Sequence, residues 1–346
     1  MAPAGSGPGG GYPPPVDIPV LVVAGFLGSG KTTLLNHLLR SETGLRVGVI
    51  VNDFGKVNID ALTVAAQVDS MVSLGNGCLC CAVDAADLDA MLERLARPDG
   101  PVDVIVVEAS GLAEPPAMVK LVLASQNPHI RYGGLVEVVD AAEFEQTRER
   151  HPQLDKHLRY ADLVLLNKID RAPDGERLLA LVRELAGGTP VVPTEYGRID
   201  PDLLFDPVDR PDPVERQLSF DDLVEHEQHV HAQYSSVEFG HDLPMNPLRF
   251  AEFLNDRPAG LYRMKGFLHF GVPGHEEPLA VQTVGPSVRI TRAPDAARRT
   301  ELVMIGAGLD ADDLTARLTA ALEHDVAAVG PLDLLSVTRY LVDDAR

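Results

Sequence analysis

The chain has 346 residues, 45% hydrophobic and 23% charged, a balance typical of a folded globular protein and not of a disordered one. Its 30 basic and 51 acidic residues give a net charge of −21 at pH 7, which repels phosphate backbones and anionic lipid and argues against nucleic-acid or membrane partners. The sequence has no run of about 18 apolar residues and no signal-peptide pattern at its N-terminus. We therefore expect a cytoplasmic protein.

The N-terminal half alternates apolar strands with amphipathic helices. Residues 1–15 are mostly Gly, Pro, Ala and Ser and are predicted to form a disordered tail, and residues 16–205 are predicted to form the first domain. Strands are predicted at 18–25, 46–53, 69–75, 103–110, 134–141 and 162–170, and helices at 31–40, 84–97 and 176–185. This alternation predicts an α/β fold with a doubly wound, mostly parallel sheet covered on both faces.

A proline-rich acidic stretch separates this pattern from a second one. Prolines are predicted to break any regular structure there, at Pro201, Pro207, Pro211 and Pro213. Residues 206–233 are interpreted as a linker, and residues 234–346 as a smaller α+β domain with an antiparallel sheet. Its strands are predicted at 234–240, 261–272, near 279–292 and at 301–306, and its helices at 246–256 and 311–322.

A glycine-rich segment, residues 25–32 (GFLGSGKT), fits the G-x-x-x-x-G-K-[ST] pattern between the first strand and the first helix. Glycines let successive backbone N–H groups point at phosphates, and the helix N-terminus adds its dipole. Lys31 is predicted to act in catalysis by reaching the β- and γ-phosphates, and the Thr32 hydroxyl to ligate Mg²⁺. The alternative is an ordinary turn with an incidental lysine. The other predicted nucleotide contacts are Gly25, Gly28, Ser29, Gly30 and Thr33.

A second motif, Asn167-Lys168-Ile169-Asp170, follows a later strand and matches the N-K-x-D tetrad that reads guanine in GTPases. The Asp170 carboxylate is predicted to accept hydrogen bonds from N1–H and the 2-amino group, two donors that adenine lacks. Asn167 is predicted to bond the base edge, and the stem of Lys168 to pack on its face. Four such residues alone are typical of a solvated helix start, but with the glycine-rich segment they favour guanine over adenine.

Acidic residues follow two further strands. Glu108 ends an apolar strand as a Walker B acid does, and is predicted to hold Mg²⁺ through water or to polarise the attacking water. Gly111 is predicted to approach the γ-phosphate with its N–H group. A helix-capping acid is the alternative for Glu108. Asp53, after the second strand, is a candidate catalytic residue as an Mg²⁺ ligand or switch residue, and Asp60 a weaker candidate for which a plain turn is an equal explanation.

All three cysteines of the chain, Cys78, Cys80 and Cys81, lie within four consecutive positions after a glycine-containing turn. Three thiolates this close suit one soft ion, with Zn²⁺ first and Cu(I) or Co(II) as alternatives, and a fourth position for water or a transfer partner. The other interpretation is burial of three thiols as small hydrophobes. Because these motifs all follow strands of one predicted sheet, metal and nucleotide are expected along one sheet edge.

Together these motifs resemble the CobW-like family of P-loop GTPases, relatives of the urease and hydrogenase metal-insertion GTPases. The resemblance covers residues 18–200 most clearly and 234–322 less so, and its most specific element is Cys-x-Cys-Cys between the two nucleotide motifs. Two other segments look like family segments, residues 107–115 (VEASGLAEP) and 261–270 (LYRMKGFLHF). The second contains an R-x-K-G core, here Arg263, Lys265 and Gly266.

The linker and two single positions also bear on the resemblance. Lys56 stands where the family commonly has an acid, and Glu195 where a small residue is expected near the guanine. The linker contains three histidines and is similar to the family's His-rich linkers, though sparser: His226, His229 and His231. These histidines are interpreted either as part of a solvated linker or as a site that receives the metal.

The resemblance implies slow GTP hydrolysis coupled to metal delivery, with GTP, Mg²⁺ and Zn²⁺ bound and a client metalloprotein as partner. Within such families, cobalt handling for cobalamin synthesis and nitrile hydratase activation are alternatives to zinc delivery. Two alternatives belong to other classes: a non-catalytic zinc buffer and a phosphotransferase acting on a small metabolite. The client, the fourth metal ligand and the oligomeric state stay open.

Overall fold

The computed structural model describes residues 17–41, 45–51, 70–73, 85–97, 102–109, 114–206 and 234–342. Several predictions therefore lie outside the described residues: the tail at 1–15, most of the linker, Asp53, Lys56, Asp60, Cys78, Cys80, Cys81, Gly111, His226, His229 and His231.

Seven strands form the sheet of the first domain: β1 (Ile18–Ala24), β2 (Val47–Val51), β3 (Ser70–Ser73), β4 (Val104–Glu108), β5 (Ile130–Asp140), β6 (Leu163–Asn167) and β7 (Val191–Thr194). Their order is β3-β2-β4-β1-β5-β6-β7, and every neighbouring pair is parallel. Strands β2, β3 and β4 lie on one side of β1 in the sheet, and β5, β6 and β7 lie on the other side. The prediction of a doubly wound parallel sheet is thus confirmed, with β1 at the switch point.

The strands read as continuous apolar runs because both faces of the sheet are covered. Every residue of β4 and of β6 is buried. The β5 strand begins at Ile130, four residues before its predicted start, since its half-buried first residues already pair with β1. The sequence pattern missed this part because it is less apolar than the rest of the strand.

In the described part of the chain the helices that accompany this sheet are α1 (Lys31–Arg40), α2 (Ala85–Leu95), α3 (Pro115–Ala124), α4 (Phe144–Arg150), α5 (Leu154–Tyr160), α6 (Gly175–Ala186) and α7 (Pro201–Leu204). Helix α1 has its predicted bounds. The expectation that Pro201 breaks regular structure was wrong, because Pro201 is the first residue of α7, where a fixed φ suits the first turn. The Asp200 side chain caps that helix by accepting from the Asp202 N–H group.

The two faces of the sheet are covered differently. Helices α2 to α6 contribute buried side chains to the core on one face. On the other face, α1 and α7 pack beside side chains of the second domain, among them Tyr262, Val284 and Ala307. The two domains therefore share a hydrophobic core. No helix in the described parts of the chain is both long and apolar enough to cross a bilayer.

The second domain is an antiparallel sheet with helices, as predicted. Its elements are β8 (Ser235–His241), α8 (Pro247–Asn255), β9 (Leu261–Leu268), β10 (Leu279–Val284), β11 (Ser287–Arg292), β12 (Thr300–Gly306), α9 (Ala311–Ala320) and α10 (Leu335–Thr338). The strand order is β11-β10-β9-β12-β8, and α8, α9 and α10 share one core with the sheet.

An ion-pair cluster centred on Asp206 joins the two domains. The Asp206 carboxylate lies 3.0 Å from Arg263 Nη2, 2.7 Å from Lys265 Nζ and 3.7 Å from Arg131 Nη2 on β5. Burial alone would raise the pKa of Asp206, but the charges of Arg263, Lys265 and Arg131 outweigh it and lower that pKa to about 2. Gly266 completes the R-x-K-G core: a Cβ there would lie 1.9 Å from the Glu301 carbonyl oxygen.

Candidate nucleotide site

The glycine-rich loop runs from the carboxyl end of β1 into α1 and packs against two neighbouring strands. Gly25 (φ +143°) and Gly30 (φ +109°) have backbone conformations that other residues rarely adopt. A Cβ at Gly25 would lie 2.3 Å from the Val138 carbonyl oxygen on β5, and one at Gly30 2.2 Å from Asn167 Nδ2. Glycine is therefore required at both positions by close approach as well as by φ. Ser29 is buried, whereas Gly28 and Thr33 are exposed.

The Lys31 ammonium group lies against the loop itself. Its Nζ donates to the carbonyl oxygens of Gly25 (2.9 Å) and Phe26 (3.2 Å), and the residue is 7% exposed. A buried cation beside a loop rich in backbone N–H groups is suited to bind an anionic ligand such as a phosphate.

Thr32 and Glu108 bring two oxygen ligands together beside the loop. Glu108 is the last residue of β4 and pairs in register with Val23 of β1. The Thr32 hydroxyl donates to Glu108 Oε1 at 3.1 Å. A hydroxyl and a carboxylate are hard oxygen donors of the type that Mg²⁺ prefers, so this pair fits that ion.

Asn167 connects two loops beside the predicted base-binding position. Its Nδ2 donates to the Ser29 carbonyl oxygen (2.9 Å), and its Oδ1 accepts from the Gly197 N–H group (2.9 Å) and the Thr194 hydroxyl (3.2 Å). The side chain is buried and its amide is used within the protein. Asn167 therefore ties the glycine-rich loop to the loop after β7.

Lys168 and Asp170 lie on the outer side of this brace. Lys168 has a left-handed backbone (φ +60°), and its Nζ donates to the Gly28 carbonyl oxygen (2.7 Å) and pairs with Asp140 (2.5 Å). Asp170 is exposed in a 3₁₀ turn over Ile169–Arg171. The Lys168 side chain thus spans from the tetrad to the glycine-rich loop, while Asp170 presents its carboxylate to solvent. Asp140 was missed by sequence reasoning, although an acid at a strand end is a recognisable signal.

The loop after β7 contains Glu195, the residue that departs from the family pattern. Glu195 is exposed, and so is Tyr196, whose backbone is left-handed (φ +53°). The guanidinium group of Arg198 lies 5.8 Å from the centroid of the Tyr196 ring. Gly197 is held against α1, because a Cβ there would lie 2.7 Å from the Leu34 nitrogen.

A buried acid behind the glycine-rich loop was also missed. Glu137 lies in β5 and is fully buried, and within the described part of the chain neither of its carboxylate oxygens has a hydrogen-bond partner. Burial raises the pKa of Glu137 to about 8, against the opposing charge of Lys31. A single acid within the apolar run 134–141 was the signal that could have identified it.

The position of the cysteine segment in the sequence relates it to one strand of the sheet. It follows β3, which is separated from β1 by β2 and β4. Three strand spacings correspond to roughly 14 Å. Among the described residues, no group of three or more His, Cys, Asp or Glu side chains is arranged to hold a metal ion.

Comparison with known proteins matches both domains. The model of the CobW/HypB/UreG nucleotide-binding domain matches residues 19–193, and that of the cobalamin synthesis protein cobW C-terminal domain matches residues 234–322. The zinc chaperone CobW of Pseudomonas aeruginosa is 34% identical over 88% of this chain and 92% of its own length. The zinc chaperone CobW of a Sinorhizobium species is 32% identical over 84% and 92%. The crystal structure of Zn(II)-bound YjiA GTPase from Escherichia coli aligns with 89% of this chain and 99% of its own, with 22% identity and a TM-score of 0.43.

Proposed function

This chain belongs to the CobW/HypB/UreG family of nucleotide-binding proteins, and we propose that it is a GTPase that binds Zn²⁺ and delivers it to a client metalloprotein. The observation that carries the nucleotide part is the convergence of Lys31, the Thr32–Glu108 pair and the Asn167 brace on one glycine-rich loop. In this proposal Lys31 neutralises the phosphates, and Thr32 holds Mg²⁺ directly. Glu108 orients the ion or the attacking water.

Guanine selectivity is assigned to Asp170. Its carboxylate is exposed beside the brace formed by Asn167 and the Lys168 side chain, whereas the Asn167 amide is used within the protein. Asp170 is thus the member of the tetrad whose acceptors face outward, and two acceptor oxygens complement the paired donors of guanine.

Replacing Asp170 by asparagine is expected to weaken GTP binding by about 1.5–3 kcal/mol, or roughly 10- to 100-fold, because a charge-assisted hydrogen bond is lost. The same variant should accept xanthine nucleotides, whose 2-oxo group matches an amide donor. Fluorescence titration with guanine, xanthine and adenine nucleotides measures this. Glu184→Gln, at an exposed acid near the end of α6, is the matched control and should change little. A wild-type protein that binds ATP as tightly as GTP contradicts the assignment.

The zinc part of the proposal is supported by the clustered cysteines and by relatives that are named zinc chaperones. Thiolates are soft ligands that suit Zn²⁺, and their clustering supports a cytoplasmic location, where thiols stay reduced. The cysteine segment and the glycine-rich loop start from strands of one sheet, with only β2 and β4 between them. A shift of β2 or β4 on nucleotide exchange would therefore reach both sites.

Zinc affinity is expected to be higher with a non-hydrolysable GTP analogue than with GDP, by about 5- to 150-fold, the usual size of a coupling between two sites. Because coupling free energies are reciprocal, Zn²⁺ should tighten binding of the analogue by the same factor. Competition titration with a chromogenic chelator measures the first effect. Replacing Cys78, Cys80 and Cys81 by serine should abolish tight binding.

Replacing the linker histidines by asparagine is the control for that triple variant: His226, His229 and His231. Equal zinc affinities in both nucleotide states, or affinity that survives the serine variant, contradict the delivery mechanism. Titration with Co²⁺ in parallel compares the two cargo metals. Release of one phosphate per GTP consumed distinguishes hydrolysis from phosphotransfer to a metabolite.

A further inference from the structure

Glu137 is a buried acid that the core of the protein does not satisfy. It lies in β5 in register with Ala24, the last residue of β1 before the glycine-rich loop. The residue is 0% exposed, and neither carboxylate oxygen has a hydrogen-bond partner among the residues that the structure describes. Such a group costs stability, so its presence behind a ligand-binding loop requires a reason other than packing.

The imidazole of His157 on α5 lies close to Glu137. His157 Nδ1 lies 3.8 Å from Glu137 Oε1, and His157 Nε2 lies 3.5 Å from Glu114 Oε2. His157 is buried, whereas the Glu114 side chain is 68% exposed. Glu114 precedes α3, on the stretch of chain that follows Glu108. The three side chains, here called the Glu137 array, thus lead from the interior to the surface.

The Glu137 array supports the glycine-rich loop from behind. The ring of Phe26, a residue of that loop, stacks on the His157 ring with centroids 5.9 Å apart and planes 16° apart. Phe26 also contacts the ring of His151, at 4.8 Å between centroids. The Phe26 carbonyl oxygen accepts from Lys31. A displacement of the His157 ring would therefore shift Phe26 in the loop and alter the hydrogen bond between Phe26 and Lys31.

Burial favours the neutral forms of Glu137 and His157 at pH 7. Burial raises the pKa of Glu137 to about 8, although the Lys31 charge opposes this. Burial lowers the pKa of His157, although the Glu114 charge opposes this. Two charged groups act on this pair, Lys31 of α1 on Glu137 and Glu114 before α3 on His157, and the ring of His151 after α4 contacts Phe26 beside them. A protonated Glu137 carries no charge to attract Lys31 or to repel an anion bound at the glycine-rich loop.

We propose that Glu137 is a positioning residue of the nucleotide site, which must keep its proton for the phosphates to bind in front of it. This inference rests on the proposed nucleotide-binding function. An ionised Glu137 would attract the Lys31 ammonium group away from the phosphates, and it would repel the phosphates across the glycine-rich loop. By reciprocity, a bound nucleotide favours the protonated form of Glu137. Nucleotide binding at a pH where Glu137 is ionised in the free protein therefore takes up a proton.

The test compares the pH dependence of binding of a fluorescent GDP analogue in wild type and in Glu137→Gln, both zinc-free. Between pH 7.5 and 9 the wild type should lose roughly five- to tenfold more affinity than Glu137→Gln, because only the wild type has an acid there to ionise. The two proteins should agree within about twofold at pH 7, where Glu137 is already neutral. Titration of the cysteine thiols and of the guanine base affects both proteins equally and cancels in the comparison.

A second measurement uses the wild type alone and does not depend on the variant folding. Calorimetry of GDP binding at pH 8.5 in buffers of different ionisation enthalpy should show uptake of roughly half a proton or more. Equal pH slopes in the two proteins, or no proton uptake at pH 8.5, overturn the role of Glu137. Failure of the wild type to bind GDP at pH 7 would instead overturn the proposed nucleotide-binding function.

Discussion

Replacing Lys31 by methionine is expected to lower GTP turnover by a factor on the order of 10²–10³, because the variant keeps the aliphatic stem but loses the charge that faces the phosphates. Lys31 is the buried cation of the glycine-rich loop, held there by the carbonyl oxygens of Gly25 and Phe26. Phosphate release at saturating GTP measures the rate. Nucleotide affinity should fall as well, since the same charge acts in the ground state.

The buried position of Lys31 also changes how the variant must be controlled. On sequence grounds its side chain belongs to no core face, but in the structure it makes two internal hydrogen bonds. Their loss is expected to cost about 1–3 kcal/mol of unfolding free energy, so thermal unfolding must accompany the rate measurement. Thr32→Ala, which removes the hydroxyl that we propose as an Mg²⁺ ligand and leaves Lys31 in place, should also nearly abolish turnover. Unchanged rates in both variants would end the assignment of hydrolysis to this loop.

Replacing Asp206 by asparagine is expected to destabilise the junction of the two domains by about 3–5 kcal/mol, because Arg263, Lys265 and Arg131 would share no carboxylate. The side chains of Arg263 and Arg131 are only 9% and 12% exposed, so solvent compensates their charges poorly. Burial and the charge of Arg263 lower the pKa of Arg131 to about 10, which reflects how closely these cations are packed. Urea unfolding followed by circular dichroism measures the loss.

The pH dependence of the same cluster has a definite sign. The pKa of Asp206 in the folded protein, about 2, lies below the value of roughly 3.9 for an unfolded chain. Its contribution is therefore fully present above pH 4 and is lost as the pH falls from about 4 toward 2, by about 2 kcal/mol. Asp206→Asn should lack this acid-dependent loss. Asp295→Asn, at an exposed acid away from the junction, should behave like the wild type; a wild-type loss in that pH range equal to that of Asp206→Asn contradicts the role of the cluster.

Local patterns in the sequence indicate most strands of both domains, their longer amphipathic helices and the position of the glycine-rich loop. Helix α1 begins at Lys31 and ends at Arg40 as its leucine spacing predicts, because one face must pack against the sheet. The apolar runs identify β4 and β6, whose residues are all buried. These features depend on neighbours along the chain, and for that reason a single sequence reveals them. Short helices such as α4 and α5, of seven residues each, contain too few turns for a clear period.

Only the tertiary structure decided which side chains meet across the chain. The Asn167 amide donates to Ser29, 138 positions away, so its brace between two loops cannot be read from the tetrad itself. The R-x-K-G segment acquires its role from Asp206, 59 positions before Lys265, through an ion-pair cluster between domains. In the sequence Glu137 is one acid in an apolar strand, yet in the fold it lies 3.8 Å from His157 Nδ1 and is affected by the charge of Lys31. Hydrogen bonds, ion pairs and desolvation act through distance in space, which the order of residues alone does not specify.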